Sequence, residues 1–169
     1  MRGDYWLWLA VLILIVSLAL QQVALALICL LFLLNGGVSR LWNRFCLHRI
    51  EYQRRLSHHQ VFFGEETVLE IEVTNRKVLP LPWLKIEDEL PEKVTLLKGK
   101  AESMTEARVI LTNIFPINMY HRVKRRFPIR CPQRGAFIFG PTHVQSGDLF
   151  GFFRKEKKFE QLDYLLVYP

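Results

Sequence analysis

TVLEIEVTN, residues Thr67–Asn75, is the stretch on which the fold turns. Leu69, Ile71 and Val73 alternate with Val68, Glu70 and Glu72. A period of two with one apolar and one charged face is the signature of a half-buried strand. Asn75 opens a polar turn, and LPLPWLKIEDELP (Leu79–Pro91) follows. Pro80 and Pro82 lack the N–H that a central strand requires and so mark a loop or an edge. Trp83–Leu90 reads as the next strand, ended by Pro91. Outward from this pair the same pattern predicts strands at Ile50–Leu56, Val94–Leu97, Ala107–Leu111, Val123–Ile129, Ala136–Phe139, His143–Gln145 and Tyr164–Tyr168. Turn signals recur about every 8–12 residues with no long helical period between them, which argues for an all-β, antiparallel sandwich of immunoglobulin-like type. Residues 50–169 are enough chain for such a core.

The N-terminal part is of another kind. Tyr5–Leu34 carries no charge, and Ser17, Gln21 and Gln22 are its polar members. Such a run predicts a transmembrane α-helical segment over 5–34. It is too long for the apolar region of a signal peptide, and no small-residue cleavage site follows. ALIC (Ala26–Cys29) is a poor lipoprotein signal because bulky Ile28 precedes the cysteine. As one helix the run would measure about 45 Å and need a tilt of roughly 48° to fit the hydrocarbon core. A hairpin broken near Gln21–Gln22 is the preferred reading, although no Gly or Pro marks its turn.

Residues 35–49 form a basic juxtamembrane linker, helical over Ser39–Leu47. Arg40, Arg44, Arg49, Arg54 and Arg55 follow the apolar run, whereas Arg2 alone precedes it. The positive-inside rule then puts the β domain in the cytoplasm, at the inner membrane. Trp6, Trp8, Arg40, Trp42 and Arg44 are the expected membrane-interface anchors. Cys29, Cys46 and Cys131 show no disulfide spacing. Cys46 reads as an inert juxtamembrane thiol rather than a lipidation site.

Candidate chemistry is sparse. SGDLFGFFR (Ser146–Arg154) lacks the Lys-Ser/Thr pair of a phosphate loop and the regularly spaced oxygens of a calcium loop. It reads as a structural turn, with Gly147 and Gly151 supplying positive φ, Asp148 bonding backbone N–H groups, and Phe150 and Phe152 closing the sandwich end. His48, His58, His59, His121 and His143 have no Cys or carboxylate at metal spacing, so no metal or other cofactor is expected. Cys131 precedes Pro132 and has no nucleophile setting beside His121 or His143. Glu87 and Glu89 share a strand face, where acid–base work is conceivable but a solvated surface is the ordinary explanation. HRVKRRFPIR (His121–Arg130) holds five basic residues and no acid, and Arg134 extends it. Alternation puts Lys124, Arg126 and Arg130 on one face, with Arg125 breaking the pattern. A solvated strand and a binding surface for anionic lipid or an acidic partner are both open; beside a membrane, nucleic acid is the weaker reading.

Three stretches together resemble the N-terminal half of the DUF58 family of prokaryotic proteins. They are RRLSHHQVFFGEETVLEIEVTNRKVLPLPWLKIEDELPE (Arg54–Glu92), CPQRGAFIFGPTHVQSGDLFGFFR (Cys131–Arg154) and LLVYP (Leu165–Pro169). The resemblance implies a membrane hairpin, an immunoglobulin-like sandwich and then a von Willebrand A-like domain. It also implies partnership with a MoxR-type AAA ATPase, sometimes with a transglutaminase-like membrane protein, in assembly or chaperone-like work at the envelope. The family has no assigned reaction. It usually shows proline where Leu149 stands, and it continues beyond the point where this chain ends at Pro169. The expectation is therefore a membrane-anchored, non-catalytic scaffold or interaction module, part of a longer protein. The alternatives are a lipid or nucleic-acid binder using the basic strand, or an enzyme whose active domain follows.

Overall fold

A computed structural model describes residues 5–97, 101–105, 108–148 and 153–169. The chain opens with two helices, α1 (Tyr5–Ala19) and α2 (Val23–Phe45). The break falls at Gln21, whose φ is 55°. Gln22 N–H donates to the Ser17 carbonyl at 2.9 Å and Gln21 N–H to that of Leu18 at 3.1 Å. This pair of reversed bonds with a left-handed residue is a Schellman ending, which satisfies carbonyls that the helix would otherwise leave open. Glutamine occupies the position that glycine usually takes, so the turn is silent in composition. The helices pack on each other, and their buried residues include the small Ala10 and Ser17 of α1 and Cys29 and Gly36 of α2. Small side chains let the backbones approach closely.

Much of the remaining helical surface is apolar and bare, with Leu12, Ile15, Leu18, Leu27, Ile28 and Leu31 all exposed; Arg40 and Arg44 are exposed near the C-terminal end of α2. Among the described helices α2 is long and apolar enough to cross a membrane, and α1 is shorter. Helix α2 runs unbroken through Gly36–Gly37 and the basic residues to Phe45, so most of the linker segment 35–49 is helix.

Among the described residues twelve strands follow: β1 (Ile50–Leu56), β2 (Gln60–Phe62), β3 (Glu66–Asn75), β4 (Leu81–Pro91), β5 (Thr95–Leu96), β6 (Ala101–Thr105), β7 (Arg108–Ile117), β8 (Arg122–Arg130), β9 (Gly135–Phe139), β10 (Thr142–Gly147), β11 (Arg154–Phe159) and β12 (Asp163–Tyr168). They form three sheets, ordered β1-β3-β8-β5, β11-β10-β4-β7-β6 and β2-β12-β9. All pairs are antiparallel except β12 with β2, which is parallel. That pair departs from the all-antiparallel expectation; β2 is a three-residue edge strand laid beside the last strand of the chain.

Strand β3 follows its expected alternation, with Leu69, Ile71 and Val73 buried. Pro82 lies inside β4, a central strand, contrary to the loop or edge expected of it. The β4–β7 register shifts between Leu81 and Leu84, and that irregularity absorbs the missing N–H. One core joins all three sheets and includes Ile71, Leu84, Ile86, Leu111, Ile129, Phe139 and Leu165. Cys46 and Leu47, just past α2, belong to it, and Trp42 packs against it. Lys155 Nζ donates to the Arg44 carbonyl at 3.0 Å, a second tie between the helical hairpin and the β domain.

Candidate functional site

The strongest constellation of polar groups is buried where the three sheets meet. Arg54, on β1, points inward with Ile50, Tyr52 and Leu56 and is 2% exposed. Its Nη1 is ion-paired with Asp88 of β4, and its Nε donates to Asp163 of β12 at 2.8 Å. Its Nη2 donates to the carbonyls of Phe139 and Gln161, each at 2.8 Å. Asp88 also accepts from the Tyr52 hydroxyl at 2.8 Å and the Thr142 hydroxyl at 2.9 Å. Gln161 closes the ring, donating from Nε2 to the Arg54 carbonyl at 2.9 Å and to Asp163 at 3.0 Å. One guanidinium thus ties β1, β4, β9 and β12 together, using the planar fork that lysine lacks.

Burial pushes the Asp88 carboxyl up, and the Arg54 charge and the two hydroxyls oppose that. Burial also weighs against the Arg54 charge, but Asp88 and Asp163 outweigh it and raise the guanidinium's affinity for its proton. Tyr52, desolvated beside a carboxylate, is held far above the ordinary tyrosine range. Asp88, enclosed by Arg54, Tyr52 and Thr142, is the anchor of a clamp between the sheets. Gly140 is required beside it. Its φ is +96°, and a Cβ there would lie 2.3 Å from the Gln161 carbonyl oxygen and 2.7 Å from Arg54 Nη2. A cleft of about 460 Å³, lined in part by His59, Gln60 and Tyr164, touches the network at Asp163.

The basic strand is β8, and its register puts acids directly opposite. Arg126 pairs across to Glu70, Lys124 to Glu72 and Arg130 to Glu66 of β3. The ion pairs follow: Arg126–Glu70 at 2.8 Å, Lys124–Glu72 at 2.9 Å, Arg122–Glu72 at 3.1 Å, Lys124–Glu70 at 3.4 Å, and Arg130–Glu66. Arg126 and Lys124 hold the Glu70 carboxyl below the usual range, and Lys124 and Arg122 do the same for Glu72. Arg125 turns to the other face and lies 5.5 Å from the Phe115 ring centroid. Arg134 lies beyond the strand, beside Phe63, Pro132 and Pro169 at a cleft of about 550 Å³. The basic residues of β8 and the glutamates of β3 form a cross-strand ladder of opposite charges.

The Gly147–Asp148 turn is built as a turn, with one correction. The Asp148 carboxylate is buried and accepts the Phe153 N–H at 2.7 Å. Gly147 does not adopt positive φ; it is required for space, because a Cβ would sit 2.3 Å from the Phe153 carbonyl oxygen and 2.9 Å from the Trp83 ring. Gly151, Leu149, Phe150 and Phe152 lie outside the described residues.

The remaining candidates are dispersed. Glu87 is ion-paired with Lys85, and Glu89 lies 3.9 Å from His143, which contacts Glu156 at 3.2 Å. His59 Nδ1 donates to the Tyr164 carbonyl at 3.2 Å. Among the described residues no group of His, Cys, Asp and Glu is placed to hold a metal ion. Cys131 is buried, which pushes its thiol up to about 11 and away from thiolate chemistry. Of the expected anchors, Trp8, Arg40 and Arg44 are exposed, while Trp42 is half-buried against the core. Trp6 is in α1, but its side chain lies outside the described residues.

Sequence reasoning passed over Arg54 and Asp88, yet the signal was present. The alternation of IEYQRRL puts Arg54 in line with Ile50, Tyr52 and Leu56, and that of LKIEDEL puts Asp88 in line with Leu84, Ile86 and Leu90. Opposite charges at inward positions of two strands are a buried pair waiting to be matched.

No model of a known protein family matches the chain. An uncharacterised protein of Bacillus subtilis, YeaD, is 29% identical over 140 residues, covering 82% of this chain and 32% of YeaD. The chain thus spans about a third of that relative's length. Among solved structures, the sporulation control protein Spo0M of Bacillus subtilis overlaps 73% of this chain and 51% of its own, at 14% identity and a TM-score of 0.40. A cohesin module of a Clostridium perfringens glycoside hydrolase overlaps 70% of this chain and 96% of its own, at 9% identity and a TM-score of 0.44.

Proposed function

We propose that the chain is a membrane-anchored, non-catalytic scaffold or interaction module, with an immunoglobulin-like β-sandwich carried on the cytoplasmic side of the inner membrane by the α1–α2 hairpin. The observation that carries this reading is the coupling of two unlike surfaces in one body. A hairpin with bare apolar flanks runs through α2 directly into the core of a β domain. The domain's strongest polar groups are spent on holding sheets together rather than on an open site. Such a device holds a rigid surface at fixed height above a bilayer.

The resemblance to DUF58 proteins supplies the partner class, a MoxR-type AAA ATPase acting in envelope-related assembly. Co-purification from mild detergent with the ATPase, both expressed at native level, tests it. Recovery of the ATPase with the full chain is expected. Failure to recover it, while the chain itself is folded and abundant, overturns the partnership.

The ladder on β3 and β8 makes nucleic-acid binding through the basic strand the less favoured reading, because the phosphates would compete with glutamates already in place.

A further inference from the structure

We propose that the turn between β3 and β4 is an interfacial wedge, with Val78 and Leu79 seated among the glycerol and upper acyl groups of phospholipid beside α2. The inference rests on the membrane reading above and adds a second point of lipid contact, contributed by the β domain itself.

A groove of about 330 Å³ separates this turn from the helix. It is lined by Val38, Leu41, Trp42 and Phe45 of α2 and by Val78 and Leu79 of the turn. Its walls are apolar and largely open: Val78 is 64% exposed and Leu41 60%. Water is a poor occupant for such a lining. Trp42 forms part of the lining, its ring packed against the hydrophobic core.

Height along the helix identifies the occupant. Helix α2 has 23 residues and is about 34 Å long, against a hydrocarbon core of about 30 Å. A core beginning at Val23 therefore ends near Trp42. Val38 and Leu41 lie just inside that boundary, and the turn reaches back to them. Helix α1, folded back from the same turn over 15 residues, brings Tyr5 to about the level of Val38. Arg44 and Lys155 sit just outside, joined through the Arg44 carbonyl, as a basic rim suited to phosphate.

The wedge is presented rigidly. Asn75 Nδ2 donates to the carbonyls of Leu79 and Asn118, both at 3.0 Å, and Lys77 Nζ donates to Asn75 Oδ1 at 3.1 Å. Arg76 N–H donates to the Arg49 carbonyl at 3.1 Å. A turn pinned on both sides and tipped with an exposed valine is shaped for an apolar surface rather than for motion.

The test is site-specific photo-crosslinking in the full chain, reconstituted into vesicles of phosphatidylcholine and phosphatidylglycerol. A photoreactive residue replaces Val78, Leu30 in the exposed flank of α2, or Ser57 on the β domain. Phospholipid adducts are expected at positions 78 and 30, several-fold above position 57. Adducts at 30 but not at 78, or protein–protein adducts at 78 in place of lipid, overturn the wedge and leave the hairpin in the bilayer. Absence of lipid adducts at both 78 and 30 overturns the membrane reading and the wedge together.

Discussion

Replacing Arg54 by methionine removes the guanidinium but keeps most of its apolar stem. The variant loses the ion pair to Asp88, the bond to Asp163 and two bonds to backbone carbonyls. Asp88 is left fully buried with only the hydroxyls of Tyr52 and Thr142. Breaking a buried pair from one side costs about 3–5 kcal/mol, chiefly the uncompensated charge that remains. Against a total stability of about 5–15 kcal/mol this is a third or more, and the melting temperature should fall by roughly 10–20 °C. The sign with pH is fixed. Without Arg54 the Asp88 pKa rises further in the folded state, so the folded state binds more protons than the unfolded one above about pH 4. The deficit of R54M should therefore shrink as pH falls from 7 towards 5. Urea unfolding of the full chain in detergent, followed by tryptophan fluorescence, measures both effects. The double variant R54M/D88L should be more stable than R54M alone, because it removes the stranded carboxylate. A loss below about 1 kcal/mol in R54M, or strict additivity of the two substitutions, would refute the clamp.

Three further outcomes follow from the same geometry. Gly140→Ala should cost about 2 kcal/mol or more, read as a lowered urea midpoint, since the left-handed φ and the Gln161 carbonyl both oppose a Cβ. Asp148→Ala should cost about 1.5–3 kcal/mol by the same assay through loss of the Phe153 N–H acceptor, with Asp148→Asn recovering part of it. Glu70 and Glu72 have folded pKa values below their ordinary ones, so their contribution is present above about pH 4.3 and lost as pH falls through the lowered values. The pair E70Q/E72Q should flatten that acid limb. By unmasking Lys124 and Arg126 it should also raise salt-sensitive binding to anionic vesicles, measured by flotation.

The strands were legible where one face is apolar and the other charged. IEYQRRL, TVLEIEVTN and RVKRRFPIR sit in β1, β3 and β8 as their alternation requires. β11, RKEKKF, was not legible because it is an edge strand of the five-stranded sheet with almost no buried face. The helical break falls near Gln21–Gln22, but the sequence does not show its cause: a left-handed glutamine does what composition assigns to glycine. Composition assigns Gly147 torsional freedom, whereas close packing against Phe153 and Trp83 is the reason it is there. The basic run on β8 leaves a solvated strand and a binding surface both open in the sequence, because its partners, Glu66, Glu70 and Glu72, lie 50 or more residues earlier in the chain. Register, which one strand's composition does not carry, turned a patch into a ladder.

The account depends most on the hairpin crossing a membrane with the β domain on the cytoplasmic side. Paired reporters test this in living cells, one active only in the cytoplasm and the other only after export, fused after Pro169 or inserted at Gln21. The account predicts the cytoplasmic reporter active at Pro169 and the export reporter active at Gln21. Export-reporter activity at Pro169, or cytoplasmic activity at both positions, would contradict it.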